Sequence, residues 1–146
     1  MKRTIWIVLA LLIVGTIFYV YKGEKMQKVQ FVSFNEEPVE VISDLISRQY
    51  VYGERLMLCR WSLKKGAMIP KHKHPNEQIT YITSGSVKVT TEGRTFIVSA
   101  GELMVLPANT YHEFIALEDT IDIDAFSPPR KDWIDKTDTY LDRSKE

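Results

Sequence analysis

The chain has 146 residues, 45% of them apolar, and its 19 Lys and Arg balance 19 Asp and Glu for a formal net charge of +0. That length holds one compact domain with its own core, and the charge balance leaves no basic field to neutralise phosphates, so no nucleic-acid partner is expected. The single cysteine, Cys59, rules out an intramolecular disulfide, and its place inside an apolar alternation reads as a small buried core residue.

Residues Ile5 to Tyr21 form an uncharged apolar run, preceded by Lys2 and Arg3 and followed by Lys22, Glu24 and Lys25. As a helix rising ~1.5 Å per residue it covers about 26 Å, close to a bilayer's hydrocarbon thickness. The run ends in Phe18, Tyr19, Val20 and Tyr21 rather than in the small residues of a cleavage site, which favours an uncleaved membrane anchor over a removed signal. Lys22, Lys25 and Lys28 nearly balance the basic amino-terminal tip, so the charge rule for orientation is close to a tie. The basic tip followed at once by an apolar run resembles a signal anchor, which places the domain outside the cytoplasm. Residues 1–28 therefore read as anchor and short linker, and residues 29–146 as the folded domain with a C-terminal tail.

Beyond the linker the chain breaks into short apolar or alternating runs. They are Val39 to Ile42, Leu56 to Leu63, Ile79 to Thr83, Val87 to Thr91, Thr95 to Val98, Leu103 to Leu106, Tyr111 to Ala116 and Ile121 to Phe126. Ser84-Gly85-Ser86, Glu92-Gly93 and Ala100-Gly101-Glu102 supply turn chemistry between them. Strands at this spacing predict an all-β sandwich or barrel. Asp44 to Tyr50 is read as a helical turn, and no later segment shows a long 3.6-residue period. Trp61 and Leu63 alternate with Arg60 and Ser62, so one set packs in the core. Tyr81 reads as core or barrel wall, and Trp133, Tyr140 and Leu141 as a surface cover or dimer contact. A homodimer through edge strands is compatible with a barrel of this size.

All three histidines, His72, His74 and His112, fall in two spaced motifs. These read Gly66-x5-His72-x-His74-x3-Gln78-x6-Gly85 and Gly101-x5-Pro107-x-Asn109-x2-His112. On an extended strand, residues two apart point to one face, so His72 and His74 can aim at one cavity. Neutral imidazole is the commonest ligand for divalent transition ions. By the same alternation Glu77 points away from its neighbour Gln78. Over residues 66 to 116 the pattern resembles the two motifs of the cupins, with Gln78 for the usual Glu, Asn109 for Gly and Ala116 for the final Asn. The resemblance implies a small double-stranded β-helix, a jelly-roll barrel, here preceded by one transmembrane helix. It also implies a divalent transition metal held by His72, His74, Gln78 and His112. Zn, Ni, Mn and Fe all accept imidazole, so the donor types do not choose among them.

Asp124, Phe126 and Arg130 follow in a D-x-F-S-P-x-R context. From chemistry alone, Asp124 is a candidate general acid or base and Arg130 a bidentate carboxylate clamp, while a solvated strand end with a surface ion pair remains the alternative. The stretch is similar to the KdgF-like subgroup of small single-domain cupins. That resemblance implies a small anionic substrate, a 4,5-unsaturated uronate undergoing ring opening and ketonisation, with these three residues lining the pocket. A non-catalytic, membrane-tethered ligand-binding or sensing module and an Fe(II) dioxygenase stay open.

Overall fold

The computed structural model describes residues 29–141, of which those from Val32 onward belong to one compact unit. The expected anchor and linker of residues 1–28 lie outside the described residues, among which no helix is long and apolar enough to cross a membrane.

Ten strands and one helical turn make up the domain: β1 (Glu40–Val41), β2 (Ile46–Tyr52), β3 (Met57–Leu63), β4 (Met68–His72), β5 (Glu77–Ser84), β6 (Ser86–Thr91), β7 (Arg94–Ser99), β8 (Leu103–Leu106), β9 (His112–Ala116), β10 (Thr120–Ser127) and α1 (Lys131–Ile134). They form two antiparallel sheets, one ordered β1-β2-β3-β10-β5-β8 and the other β4-β9-β6-β7. Between them lies the apolar core, with Met57, Cys59, Trp61, Leu63, Ile82 and Leu106 from the large sheet facing Ile69, Val87, Val89, Val98, Phe114 and Ala116 from the small one. The all-β expectation holds, and Cys59 is fully buried as its alternation implied.

The helical turn expected over Asp44 to Tyr50 is overturned: Ile46–Tyr52 is β2, paired in register along β3 from Ile46↔Leu63 to Tyr52↔Met57. Its sequence carries two adjacent polar residues, Arg48 and Gln49, and both are buried, which hides the strand's alternation. Arg48 gives its Nε hydrogen to Glu40 at 2.8 Å and one terminal nitrogen to Asp138 at 3.2 Å. Gln49 donates to the carbonyls of Phe34 and Glu37, tying the amino-terminal loop to the sheet.

On β5 and β10 the usual apolar-in pattern is inverted. Gln78, Thr80 and Ile82 point inward from β5, and Thr120, Asp122, Asp124 and Phe126 from β10. The apolar Ile79 and Tyr81 face outward, so Tyr81 belongs to the outer surface and not to the core. Where β5 turns into β6, Gly85 holds φ +80, and a Cβ there would lie 2.4 Å from the Asp119 carbonyl oxygen, so only glycine fits.

Glu40 tests how far the Arg48 anchor supports the domain. Burial pushes its carboxyl up, but the hydrogen bond and charge of Arg48, with Lys136, outweigh this and hold it at about 2, against an ordinary 4.5. A depressed carboxylate contributes stability that is present above its unfolded value and lost as pH falls toward its folded one. Glu40→Gln should cost about 1–3 kcal/mol in urea unfolding at neutral pH. The gap from wild type should close as pH drops from 4.5 toward 2.

Candidate functional site

The first donor reaches the interior through an irregularity in β4. Ile69 pairs with Phe114 and His72 with His112, so three steps on β4 match two on β9. The extra residue, at the segment holding Pro70, shifts the alternation by one, and both Ile69 and His72 turn inward. His74 lies beyond the end of β4, in the loop to β5. The strand argument thus accounts for His72, whereas His74 is placed by the loop: its carbonyl accepts from the Asn109 backbone at 2.7 Å. Asn109 itself sits at φ 63, the left-handed conformation that its substitution for glycine requires.

The three imidazoles converge, with one ring nitrogen of each lying within 4.8 Å of the others. His72 donates through Nδ1 to the Pro70 carbonyl at 2.8 Å, and His112 through Nδ1 to the Thr110 carbonyl at 2.9 Å. A carbonyl can only accept, so both rings carry their proton on Nδ1 and present a lone pair at Nε2. The Nε2 of His112 is buried without any protein partner. Burial, then His112, pushes His72 down to about 3; burial, then Arg130, pushes His74 down to about 4; burial also lowers His112. All three are therefore neutral near pH 7, the state that ligates metal.

Gln78 completes the set. Its amide nitrogen donates to Thr80 and to Asp124, both at 2.9 Å, which fixes the carbonyl oxygen 3.0 Å from His74 Nε2. An amide oxygen only accepts, so His74 carries its proton on Nε2 here and leaves Nδ1 without a protein partner; with the proton moved to Nδ1, two donors about 2.1 Å from one ion at right angles would be ~3.0 Å apart, the spacing of this pair. The Nε2 lone pairs of His72 and His112, the unpartnered nitrogens of His74 and His112, and the neutrality of all three imidazoles fit a divalent first-row metal. Glu77 is exposed on the outer face, as its alternation implied.

Asp124 lies directly behind Gln78. Its Oδ1 accepts from Gln78 and from Thr80 at 2.6 Å, and its Oδ2 from Trp61 Nε1 at 2.9 Å. Burial drives its pKa to about 6 in spite of these donors. Phe126 packs its edge against His74, with ring centroids 5.5 Å apart. Arg130 is 1% exposed and forked onto Asp132, at 2.9 Å through Nε and 2.6 Å through a terminal nitrogen. The amide of buried Asn76 donates to the carbonyls of Pro128 and Pro129 and so holds the segment that leads into Arg130. The reading of Asp124 and Arg130 as a solvated strand end is excluded by their burial.

All seven residues singled out by sequence are thus gathered at one place. Three others were not assigned to it. Asp122 faces the same cavity one strand-period before Asp124, with Oδ1 unpartnered, and burial followed by the Asp124 charge pushes it well above the carboxylate range. The polar half of the β10 alternation carried that signal. Trp133 and Tyr140, expected as a surface cover, line the cavity: Trp133 meets Trp61 edge-on at 5.5 Å, and Tyr140 stacks flat on His72 at 4.0 Å.

Two antiparallel sheets closing on three imidazoles and an amide define a metal-binding β-barrel, and the chain belongs to the cupin domain family, whose pattern matches residues 59–126. Within that family it is 34% identical over 103 residues to the Pectin degradation protein KdgF of Dickeya dadantii (strain 3937), an alignment covering 68% of this chain and 94% of that protein. The solved structure of KdgF from Halomonas sp. superposes with a TM-score of 0.68 at 31% identity, covering 73% of this chain and 99% of that one. Bacillus subtilis oxalate decarboxylase, described with Mn(II) centres, superposes with a TM-score of 0.62 at 26% identity, covering 70% of this chain and 30% of its own.

Titrated with Mn, Ni, Zn or Fe(II) salts, the protein should bind one ion. His112→Ala should weaken that affinity by more than about 100-fold, since even partners behind a ligand cost 10–100-fold. Glu77→Gln should leave it unchanged. Calorimetry measures both, and equal affinity in His112→Ala would reject the assigned donor set.

Proposed function

We propose that the domain promotes ring opening and enol-to-keto conversion of a 4,5-unsaturated uronate or a related small sugar acid. The observation that carries this reading is one cavity holding four neutral metal donors, a carboxylate titrating at about 6 and a buried guanidinium. Likeness to KdgF supplies the substrate class. The net change is an isomerisation: the anomeric hydroxyl loses its proton as the bond from the anomeric carbon to the ring oxygen breaks, that oxygen takes up a proton as an enol hydroxyl, and the enol then loses this proton while the neighbouring carbon of its double bond gains one. No oxidant or reductant is consumed.

A divalent ion on His72, His74, Gln78 and His112 would supply Lewis-acid polarisation of a substrate oxygen, undiminished by any charged ligand. Arg130 binds the uronate carboxylate bidentately. Asp124, ionised just above its pKa and protonated just below it, takes and returns the migrating proton near neutral pH. Phe126 forms the apolar wall beside His74 and keeps water from the enol. Purified protein given 4,5-unsaturated galacturonate should accelerate the loss of double-bond absorbance over buffer. Asp124→Asn should weaken metal affinity by no more than about 100-fold and, at saturating metal, lose about 100-fold in rate; stoichiometric binding without turnover would instead favour the binding-module reading.

We further propose that Ile5 to Tyr21 tethers the domain to a membrane with the domain outside the cytoplasm, supported by that run's length and apolar composition. A reporter active only outside the cytoplasm, fused after Glu146, should give signal, and a signal from a cytoplasm-only reporter would reverse the orientation.

A further inference from the structure

We propose that residues 131–141 form a self-inhibiting strap over the metal donors. In it Asp132 occupies Arg130 as an internal carboxylate and Tyr140 caps His72, so that a carboxylate ligand reaches the site by displacing both. The identity of that ligand rests on the sugar-acid reading above.

The guanidinium that would clamp a substrate carboxylate is already forked onto one. Arg130 is 1% exposed, whereas the Asp132 side chain is 35% exposed, so the competing carboxylate sits on the solvent side of the arginine. The Tyr140 ring lies 4.0 Å from His72 with an interplanar angle of 5°, and its hydroxyl accepts from Trp133 Nε1 at 3.1 Å and Arg130 at 3.4 Å. The free space left at the cluster is about 10 Å³. That holds about one water, against roughly 300–1,000 Å³ for small-molecule pockets. A sugar acid cannot enter this arrangement.

The strap divides into a fixed part and a releasable one. Trp133 is 1% exposed and wedged between the guanidinium groups of Arg48, at 4.2 Å, and Arg130, at 4.4 Å. Tyr50 also donates to its carbonyl, so α1 is anchored. The chain then turns at Lys136, in the left-handed region at φ 57. Beyond it, Asp138 binds Arg48 at 3.2 Å, and Tyr140 and Leu141 rest on the core without being sealed into it. If Asp138 leaves, Arg48 keeps Glu40 at 2.8 Å, so opening strands no buried cation. Asp132 likewise has a natural replacement in the incoming carboxylate. Arg48 and Arg130 thus keep a carboxylate in both states, while the buried Trp133 Nε1 gives up its bond to Tyr140 on opening, which favours the closed state in the absence of ligand.

Diethylpyrocarbonate acylates neutral imidazole, and the chain's 3 histidines make the products easy to assign by peptide mass spectrometry. Applied to the metal-free full chain, it should acylate His72 at least about five-fold faster in Asp138→Asn and in Asp132→Asn than in wild type, as the open population rises. Neither substituted residue makes a contact with His72, so unchanged rates in both variants overturn the strap. In metal-loaded protein, calorimetry with D-galacturonate should show about tenfold tighter binding to Asp132→Asn, because the internal competitor is gone. Weaker binding would make Asp132 a positioning residue for Arg130 and overturn its role as an internal ligand. If galacturonate binds neither protein, the sugar-acid reading falls while the acylation rates still decide the strap.

Discussion

A carboxylate buried in the middle of a sheet organises this domain. Asp124 is 4% exposed with no cation bonded to it, and an isolated charge in that position would be prohibitively costly. Three donors from neighbouring strands make it tolerable: Trp61 from β3, and Thr80 and Gln78 from β5. The same bonds orient the candidate amide donor. Both hydrogens of the Gln78 amide are spent on Thr80 and Asp124, so its oxygen is forced toward His74. A glutamate at 78 could make neither donation and would set two carboxylates against each other. Glutamine at 78 and aspartate at 124 are thus one choice rather than two.

That choice explains why β5 and β10 turn their polar sides inward. Asp124 pairs with Thr80 across the ladder and Phe126 with Gln78, so the strands must share a phase for the network to close. Their apolar residues are then left outside. The inward stripe forfeits part of the hydrophobic burial, and the aromatic shell of Trp61, Phe114, Phe126 and Trp133 restores it around the polar centre, each large ring removing 150–250 Å² or so from water. Asp122 sits within this shell with a raised pKa, held neutral by burial and by the adjacent Asp124 charge.

Much of this was legible in the sequence because it depends on short-range spacing. Eight of the runs between Val39 and Phe126 coincide with strands to within a few residues, and the two histidine motifs named their donors. β2 and β4 were missed for physical reasons. Arg48 and Gln49 are buried polar residues whose partners, Glu40, Asp138 and the Phe34 loop, come from elsewhere in the chain. β4 contains Pro70 and an extra residue that breaks its period. Tyr140 and Trp133 were misplaced for the same reason: nothing local shows that a tail some 20 to 70 residues from the histidines folds back onto them.

The electrostatics of the interior separate the two kinds of charge. Each buried arginine has its own carboxylate, Arg48 with Glu40 and Arg130 with Asp132, so neither cation is left facing the histidines unbalanced. Neither buried carboxyl group of β10 has a cation in its hydrogen-bond shell, and Asp124, the one bonded to the donor set, stands behind Gln78 rather than beside the imidazoles. Its charge reaches the donor cluster through the amide: hydrogen bonding to the Gln78 N–H group polarises the C=O toward greater basicity, as chained hydrogen bonds do. The cluster keeps four formally neutral donors, yet one of them is strengthened by a negative charge a bond network away. A metal held there would retain its full charge toward a substrate because its donors are neutral, while being bound more firmly than an isolated amide allows because Asp124 backs one of them.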